Sequence, residues 1–408
     1  MGLNILDSAS LRNCTSCQVC ATVCSQNAIT IKLDKNGFYR PIVDSGQCNQ
    51  CGVCTNVCYK FDKSIEQTSE GQFCDKPLYS AWAKDDSLIK ETTSGGIGDL
   101  LAHELLKEGY KVVGVAYNED ETRAEHQIAS AEEELIPFRG SKYIQSYTFD
   151  AFKEIVSNCK NERYAVFGTP CQIYALNKLA ALRRKRENFV FVDLYCHGCP
   201  SLHIWTKYQQ SIKKSADVEK FDKVVFRSKI KGWGAFYIVV VIVDGKPVYV
   251  SSPRNDNFYE LFFSDLVLND ACNDCRLRST LEYTDIRLGD FWGKKFLDNH
   301  KGVSAVSISS DIGKSIFEKI QDKIVFKECD YSDFLPYQSW GIEYKPKMET
   351  RMAILESLSD PNSGIDEAIA IYRKDLGLKG TIKRHIKGIL SYFPVNVTNN
   401  IKKIIYSL

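Results

Sequence analysis

The sequence predicts a mixed α/β (α+β) protein with a small cysteine-rich module in front and a helical tail behind. Three observations carry this: one cysteine spacing occurring twice before residue 60, alternating strand-like and helix-like stretches over 92–216, and a closing stretch with lysines but no acid. The 408 residues suffice for roughly two to three units with a sizeable core.

Of the 16 cysteines, Cys14, Cys17, Cys20 and Cys24 follow C-x2-C-x2-C-x3-C, and Cys48, Cys51, Cys54 and Cys58 repeat it. Three cysteines at steps of three wrap one turn of backbone around an iron-sulfur cube, while the fourth points to a neighbouring cube. The spacing therefore predicts one 4Fe-4S cluster on Cys14, Cys17, Cys20 and Cys58, and a second on Cys48, Cys51, Cys54 and Cys24. Paired zinc sites are the alternative, although zinc rarely takes three cysteines in steps of three. Residues 10–66 resemble bacterial two-cluster ferredoxins, with Ser25 and Tyr59 where those place a proline. Residues 1–66 are read as this module, and the polar stretch 67–80 as a linker.

Beyond it, Ser94-Gly95-Gly96 opens a helix with Ile97, Leu101 and Leu105 on one face, followed by a strand over 111–117. Amides at such a helix start can approach a phosphate, and Ser94 can cap the helix or bind the same anion. A strand over 163–168 leads through Thr169-Pro170-Cys171 into a helix, and another over 188–195 ends at Cys196-His197-Gly198-Cys199, with Ser201 capping the next helix. This alternation places Cys171 and Cys196 on one sheet edge. Stretches 221–228 and 234–243 read as strands, the latter turning at Asp244-Gly245 into a hairpin.

Cys272 and Cys275 add a C-x2-C pair. Together with Cys171 and Cys196 they can make one more tetrathiolate site, with Cys199 as rival to Cys196 and zinc as an alternative occupant. A nucleophilic Cys171 assisted by His197 is a further alternative.

The ordered set Ser94-Gly95-Gly96, Gly140-Ser141-Lys142-Tyr143, Gly168-Thr169-Pro170-Cys171-Gln172, Cys196-His197-Gly198, Phe226-Arg227, Cys272/Cys275 and Gly289-Asp290-Phe291-Trp292-Gly293 resembles the coenzyme F-420 hydrogenase/dehydrogenase beta-subunit family over about residues 75–345. The resemblance implies a flavin-binding mixed α/β domain, taken as 81–345, with FAD and a proximal 4Fe-4S cluster on Cys171, Cys196, Cys272 and Cys275. Ser94, Gly95, Gly96, Gly140, Ser141, Lys142, Tyr143 and Thr169 would contact the flavin, Lys142 through a phosphate or the N1 side. His197, Arg227 and Asp290 have structural readings of equal weight, and no catalytic acid or base is singled out.

The expected function is an oxidoreductase passing electrons between a ferredoxin-like or other redox protein and an unnamed small molecule, because a flavin joins one-electron to two-electron chemistry. The alternative is an electron-relay beta subunit without a substrate of its own. A net charge of +2 provides no field for nucleic acid. The segment 346–408 is read as a helical basic tail, in which six Lys/Arg, interleaved with isoleucines, follow residue 378 without any acid. It is suited to weak contact with an anionic membrane or to packing on the main domain. The start lacks a basic n-region and a long apolar run, which predicts a cytoplasmic chain, at most peripheral to the inner face of the membrane.

Overall fold

The computed structural model describes residues 4–7, 14–65, 75–230, 232–235, 240–251, 256–391, 393, 397 and 401. A single helical turn carries the third cysteine of each run, Cys20 in α1 (Val19–Thr22) and Cys54 in α2 (Val53–Asn56), with an antiparallel hairpin of β1 (Ile29–Leu33) and β2 (Tyr39–Val43) between them.

Among the described residues, nine strands form the main sheet: β3 (Leu78–Ala83), β4 (Lys111–Tyr117), β5 (Ala124–Ala129), β6 (Ser146–Tyr147), β7 (Tyr164–Phe167), β8 (Phe189–Leu194), β12 (Ile286–Asp290), β13 (Ser304–Ile308) and β14 (Ile324–Glu328). Their order is β14-β3-β13-β12-β8-β7-β4-β5-β6. The central β12, β8, β7 and β4 run parallel, and the flanking pairs are antiparallel except β5 with β6. Strand β8 is apolar at nearly every position because both its faces are covered. Val190 and Val192 meet α4 (Ile97–Lys107) and α9 (Asp311–Lys319), while Phe189 and Phe191 meet α5 (Phe149–Asn158) and α6 (Pro170–Leu182).

The second of these cores also takes in Val19, Val23 and Val57, so the cysteine module packs directly on α5 and α6. Of the stretch expected as a linker, 67–74 lies outside the described residues, and Leu78 already begins β3. Leu78, Ser80 and Ala81 are buried between β13 and β14, a placement that polar neighbours in sequence conceal.

A further core joins α7 (Leu202–Ala216), α8 (Asn257–Phe262), α10 (Met348–Ser359) and α11 (Ile365–Asp375) to a small sheet of β9 (Lys223–Val225), β10 (Val240–Val243) and β11 (Lys246–Val250). The strand expected over 221–228 is shorter because Arg227 turns the chain with φ 58°. In the one expected over 234–243, residues 233–235 form a 3-10 turn, 236–239 lie outside the described residues, and β10 begins at Val240. Within the segment read as a helical tail from 346, Ile354, Leu358, Ile365 and Ile369 pack into this core. Among the described residues, α12 (Gly377–Ser391) carries a row of four exposed apolar side chains, Leu378, Ile382, Ile386 and Ile389. Among the described residues no helix is long and apolar enough to cross a membrane.

Candidate functional site

The two cysteine runs share an unusual backbone. Ser16 and Gln18 flank Cys17 with φ 63° and 64°, and Gln50 and Gly52 flank Cys51 with φ 57° and 74°. Left-handed conformations are costly for residues other than glycine, and residues alternating in this way turn successive amides into one concavity suited to a negatively charged group. The Val19 amide is directed at the Cys17 sulfur, the Lys60 amide at Cys58 and the Ile5 amide at Cys54.

Cys14, Cys17, Cys20 and Cys58 line one cavity with Ile5, Ile31, Pro41 and Val57, about 530 Å³ counting its open mouth. The structure thus brings Cys58 of the second run to the first three cysteines of the first. Burial pushes the Cys17 thiol up to about 11 and Cys58 up to about 12, and neighbouring cysteines add to both. Cys20 is raised for the same two reasons. Crowded buried thiols that resist ionisation alone suit a cationic iron centre that takes them as thiolates, so these residues fit a cube. Cys24 and Cys54 share the apolar cluster beside Cys20 and Cys58, whereas Cys48 is half-buried and Cys51 exposed.

A second thiol group gathers at the C-terminal ends of β7 and β8. Cys171 opens α6 one residue after Pro170, and Cys196 and Cys199 follow β8. Cys272 and Cys275 come from the loop before β12. Burial pushes Cys196 up to about 12, helped by Cys272 and Cys275, and Cys272 up to about 11, helped by Cys275. Burial raises Cys171 too, with contributions from Cys17, Cys275 and Cys196. Cys199 stands in the same group, near Cys272, Cys171 and Cys196, and its amide donates to Cys272 Sγ at 3.4 Å. The quartet expected from sequence is therefore a group of five. Among the described residues no three His, Cys, Asp or Glu side chains converge on a single ion, so what characterises the group is its buried sulfur content. Cys159 and Cys329 lie elsewhere, and Cys74 lies outside the described residues.

Two devices close these loops. A Cβ on Gly198 would lie 2.7 Å from Leu268 Cδ1, so a larger residue there would push the buried Leu268 side chain aside. Arg278 donates to the carbonyls of His197 at 3.0 Å, Cys272 at 2.6 Å and Ile342 at 2.6 Å, fastening the two cysteine loops together. Nothing in the local sequence around Arg278 signals this role.

The two thiol regions adjoin. Beyond the influence of Cys17 on Cys171, the Cys17 carbonyl accepts from Thr148 Oγ1 at 3.0 Å, and Lys60 pairs with Asp274 at 3.5 Å. The Cys14 set thus lies between the partly exposed Cys48–Cys51 segment and the group at Cys171.

The remaining expected site residues divide. Gly95 and Ser141 belong to one region: the Ser141 amide donates to Thr93 Oγ1 at 2.8 Å, and the Gly95 amide to Ser304 Oγ at 3.0 Å. A Cβ on Gly95 would lie 2.4 Å from the Ala81 carbonyl oxygen. The cap of α4 is Gly96, with φ 82°, and not Ser94. The Ser94 hydroxyl is buried without a hydrogen-bond partner among the described residues, while its carbonyl accepts from Lys229 Nζ at 2.6 Å. Lys142 lies in the turn that follows Pro137. Its ammonium donates to the carbonyls of Pro137, Arg139 and Gly140, which fold the chain around it. Thr169 sits with the cysteines, its hydroxyl 3.2 Å from Cys171 Sγ.

Tyr143 lies within hydrogen-bonding reach of Ser141 and Arg227. Burial disfavours the Arg227 cation, but Asp290 at 3.6 Å, with Tyr143, keeps it charged. Trp233 donates to Asp290 Oδ1 at 3.1 Å and stacks on Trp292 at 4.5 Å, and Arg227 lies 4.7 Å from the Trp292 ring centre. Burial pushes Lys229 down to about 7, against Asp290. Sequence reasoning missed Thr93, Lys229 and Trp233. His197 is held by Asp265 at 2.9 Å and Ser339 at 3.1 Å, in keeping with a structural role.

The family described as coenzyme F420 hydrogenase/dehydrogenase, beta subunit, matches with its N-terminal model over residues 78–153 and its C-terminal model over 161–333. A 4Fe-4S dicluster domain matches 13–60. The coenzyme F420 hydrogenase subunit beta of Methanococcus voltae is 25% identical over 309 residues, 74% of this chain and 96% of that one. An uncharacterized protein of Methanocaldococcus jannaschii is 24% identical over 66% of this chain and 70% of its own length. A chain of the F420-reducing [NiFe] hydrogenase complex from Methanosarcina barkeri aligns with TM-score 0.45 and 18% identity, over 76% of this chain and 97% of that chain. The protein belongs to the coenzyme F420 hydrogenase/dehydrogenase beta-subunit family and carries a 4Fe-4S dicluster domain ahead of the family's two domains.

Proposed function

We propose that this chain is an iron-sulfur flavoprotein that transfers electrons between a one-electron protein carrier and an organic acceptor. Three cysteine sets would hold 4Fe-4S clusters: Cys24, Cys48, Cys51 and Cys54; Cys14, Cys17, Cys20 and Cys58; and Cys171, Cys196, Cys272 and Cys275. The clusters supply one-electron exchange, and FAD supplies the junction to two-electron chemistry. Over one turnover, two equivalents of reduced carrier lose one electron each, and one acceptor gains both with a proton, or the reverse.

The observation that carries this reading is the contiguity of the sulfurs. The set lining the cavity shares a boundary with the group at Cys171, while Cys51 is exposed for contact with a carrier. Amides aimed at the sulfurs favour their ionised form, and the apolar packing around them excludes water. On the flavin side, support comes from the turn at Ser94–Gly96, its buried free hydroxyl, Lys229 on the Ser94 carbonyl, and the Arg227 cation beside the Trp233–Trp292 stack. Gly140, Ser141, Lys142, Tyr143 and Thr169 are retained as flavin neighbours, Thr169 also bordering the sulfur group through Cys171.

Anaerobic purification with iron, sulfide and flavin quantitation tests the proposal. It expects about twelve irons in three cubes and one FAD. About eight irons would remove the third cluster. A second reading, a relay subunit of a larger complex, is favoured by the 96% coverage of a hydrogenase subunit. It predicts an iron-loaded protein without flavin that reduces no small molecule.

A further inference from the structure

Arg40, on β2, lies outside every motif, yet its guanidinium is buried at the seam of the two sulfur regions. Its side chain is 10% exposed. One nitrogen donates to the Cys14 carbonyl, and two lie 3.5 and 3.4 Å from Asn269 Oδ1. Nε donates to Asp34 at 3.0 Å on the more open side. Asn269 is fully buried and extends the connection both ways. Its side-chain amide donates to Ser16 Oγ at 3.1 Å, its backbone amide to the Cys199 carbonyl at 2.8 Å, and its carbonyl accepts from the Cys272 amide at 2.8 Å. One cation and one amide therefore join the loop of Cys14 and Cys17 to both loops of the second group.

We propose that Arg40 is a positioning residue that locks the Cys14 set to the Cys171 group and raises the reduction potential of the cluster held by the Cys14 set. The inference rests on the iron-sulfur reading above and adds to it a residue and an electrostatic sign. Reduction adds one electron and changes no bond. A buried positive charge one hydrogen bond from the Cys14 backbone, and close enough to act on the Cys199 sulfur across the seam, stabilises that added negative charge, and a guanidinium carries its charge without a low-lying deprotonation. Asp34 offsets part of the field, but its side chain is 29% exposed, so water screens it more than the buried cation. Lys60 pairs with the more exposed Asp274 at the same seam, so by the same screening it adds to the positive sign, equally in the parent and in the Arg40 variants.

The test is a redox titration of the anaerobically purified full chain, followed by electron paramagnetic resonance. Arg40→Met and Arg40→Gln remove the charge, while Arg40→Lys keeps it and loses the fork. With iron content equal to the parent's, Met and Gln are expected to shift at least one cluster signal to lower potential. The one-electron reduction constant should fall about tenfold, which corresponds to about 59 mV. Arg40→Lys should stay near the parent value. Midpoints for all signals unchanged in both Met and Gln would overturn the inference and leave the iron-sulfur reading standing. Should Arg40→Met fail to retain iron, the comparison of Gln with Lys decides, and equal midpoints there overturn it. A parent protein with no iron bound at the Cys14 set overturns the reading itself, and this inference with it.

Discussion

Ligand assignment between the two cysteine runs can be tested by paired substitutions. Cys14, Cys17, Cys20 and Cys58 line one cavity, and Cys24 does not. If Cys14 and Cys58 serve one cube, Cys14→Ala with Cys58→Ala removes two ligands from a single cluster and leaves the other two intact. About eight of about twelve irons then remain, and one cluster signal disappears. Cys14→Ala with Cys24→Ala instead strikes two clusters, and its iron falls to between about four and ten, as each damaged cube is lost or survives with three irons. Two cluster signals change in that case. Iron and sulfide analysis with paramagnetic resonance on dithionite-reduced protein reads both variants. The reasoning fails if the Cys14/Cys24 pair spares two clusters while the Cys14/Cys58 pair disturbs two.

Asp193 and Arg287 form a bidentate pair with side chains 2% exposed, so Asp193→Ala strands a buried cation; denaturant unfolding should show a loss of about 3–5 kcal/mol, and a loss below about 1 kcal/mol would contradict the burial argument. Burial pushes the Asp256 carboxyl, the cap of α8, up to about 6 from an ordinary 3.8. The folded state binds that proton more tightly than the unfolded one, so this group's contribution to stability is full below about pH 4 and is lost as pH rises through about 6, a change of up to roughly 3 kcal/mol. Asp256→Asn should flatten that part of the stability profile, and an unchanged slope would show that another group titrates. Arg384 of α12 pairs with Glu260, whereas Leu378, Ile382, Ile386 and Ile389 are exposed. Flotation with vesicles rich in anionic lipid should recover the protein, and Ile382→Asp with Ile386→Asp should abolish recovery; equal flotation of the variant would exclude α12 as the contact.

Short-range pattern made much of this molecule legible. The strand over 111–117 and the helix from Pro170 to Leu182 follow from alternation and from apolar spacing with a proline at the first turn, and both lie where the sequence places them. The hairpin at Asp244-Gly245 forms because both residues take positive φ, at 50° and 70°. One of the two expected roles of Ser94 gives way: a serine before glycines looks like a cap, but the chain caps α4 with Gly96, whose φ of 82° suits a residue without a side chain.

From the order of its residues alone, the protein reveals its two duplicated cysteine loops, the strand-turn-helix edge that presents Cys171 and Cys196, and the family signature that follows. Only tertiary structure decided that Cys199 joins the second sulfur group, that the cysteine module shares a core with α5 and α6, and that Arg40 and Asn269 span the seam. Those contacts join residues separated by anywhere from tens to more than two hundred positions. Neither helical nor strand periodicity carries information over such separations, and the burial that makes these polar contacts consequential exists only after the layers have packed.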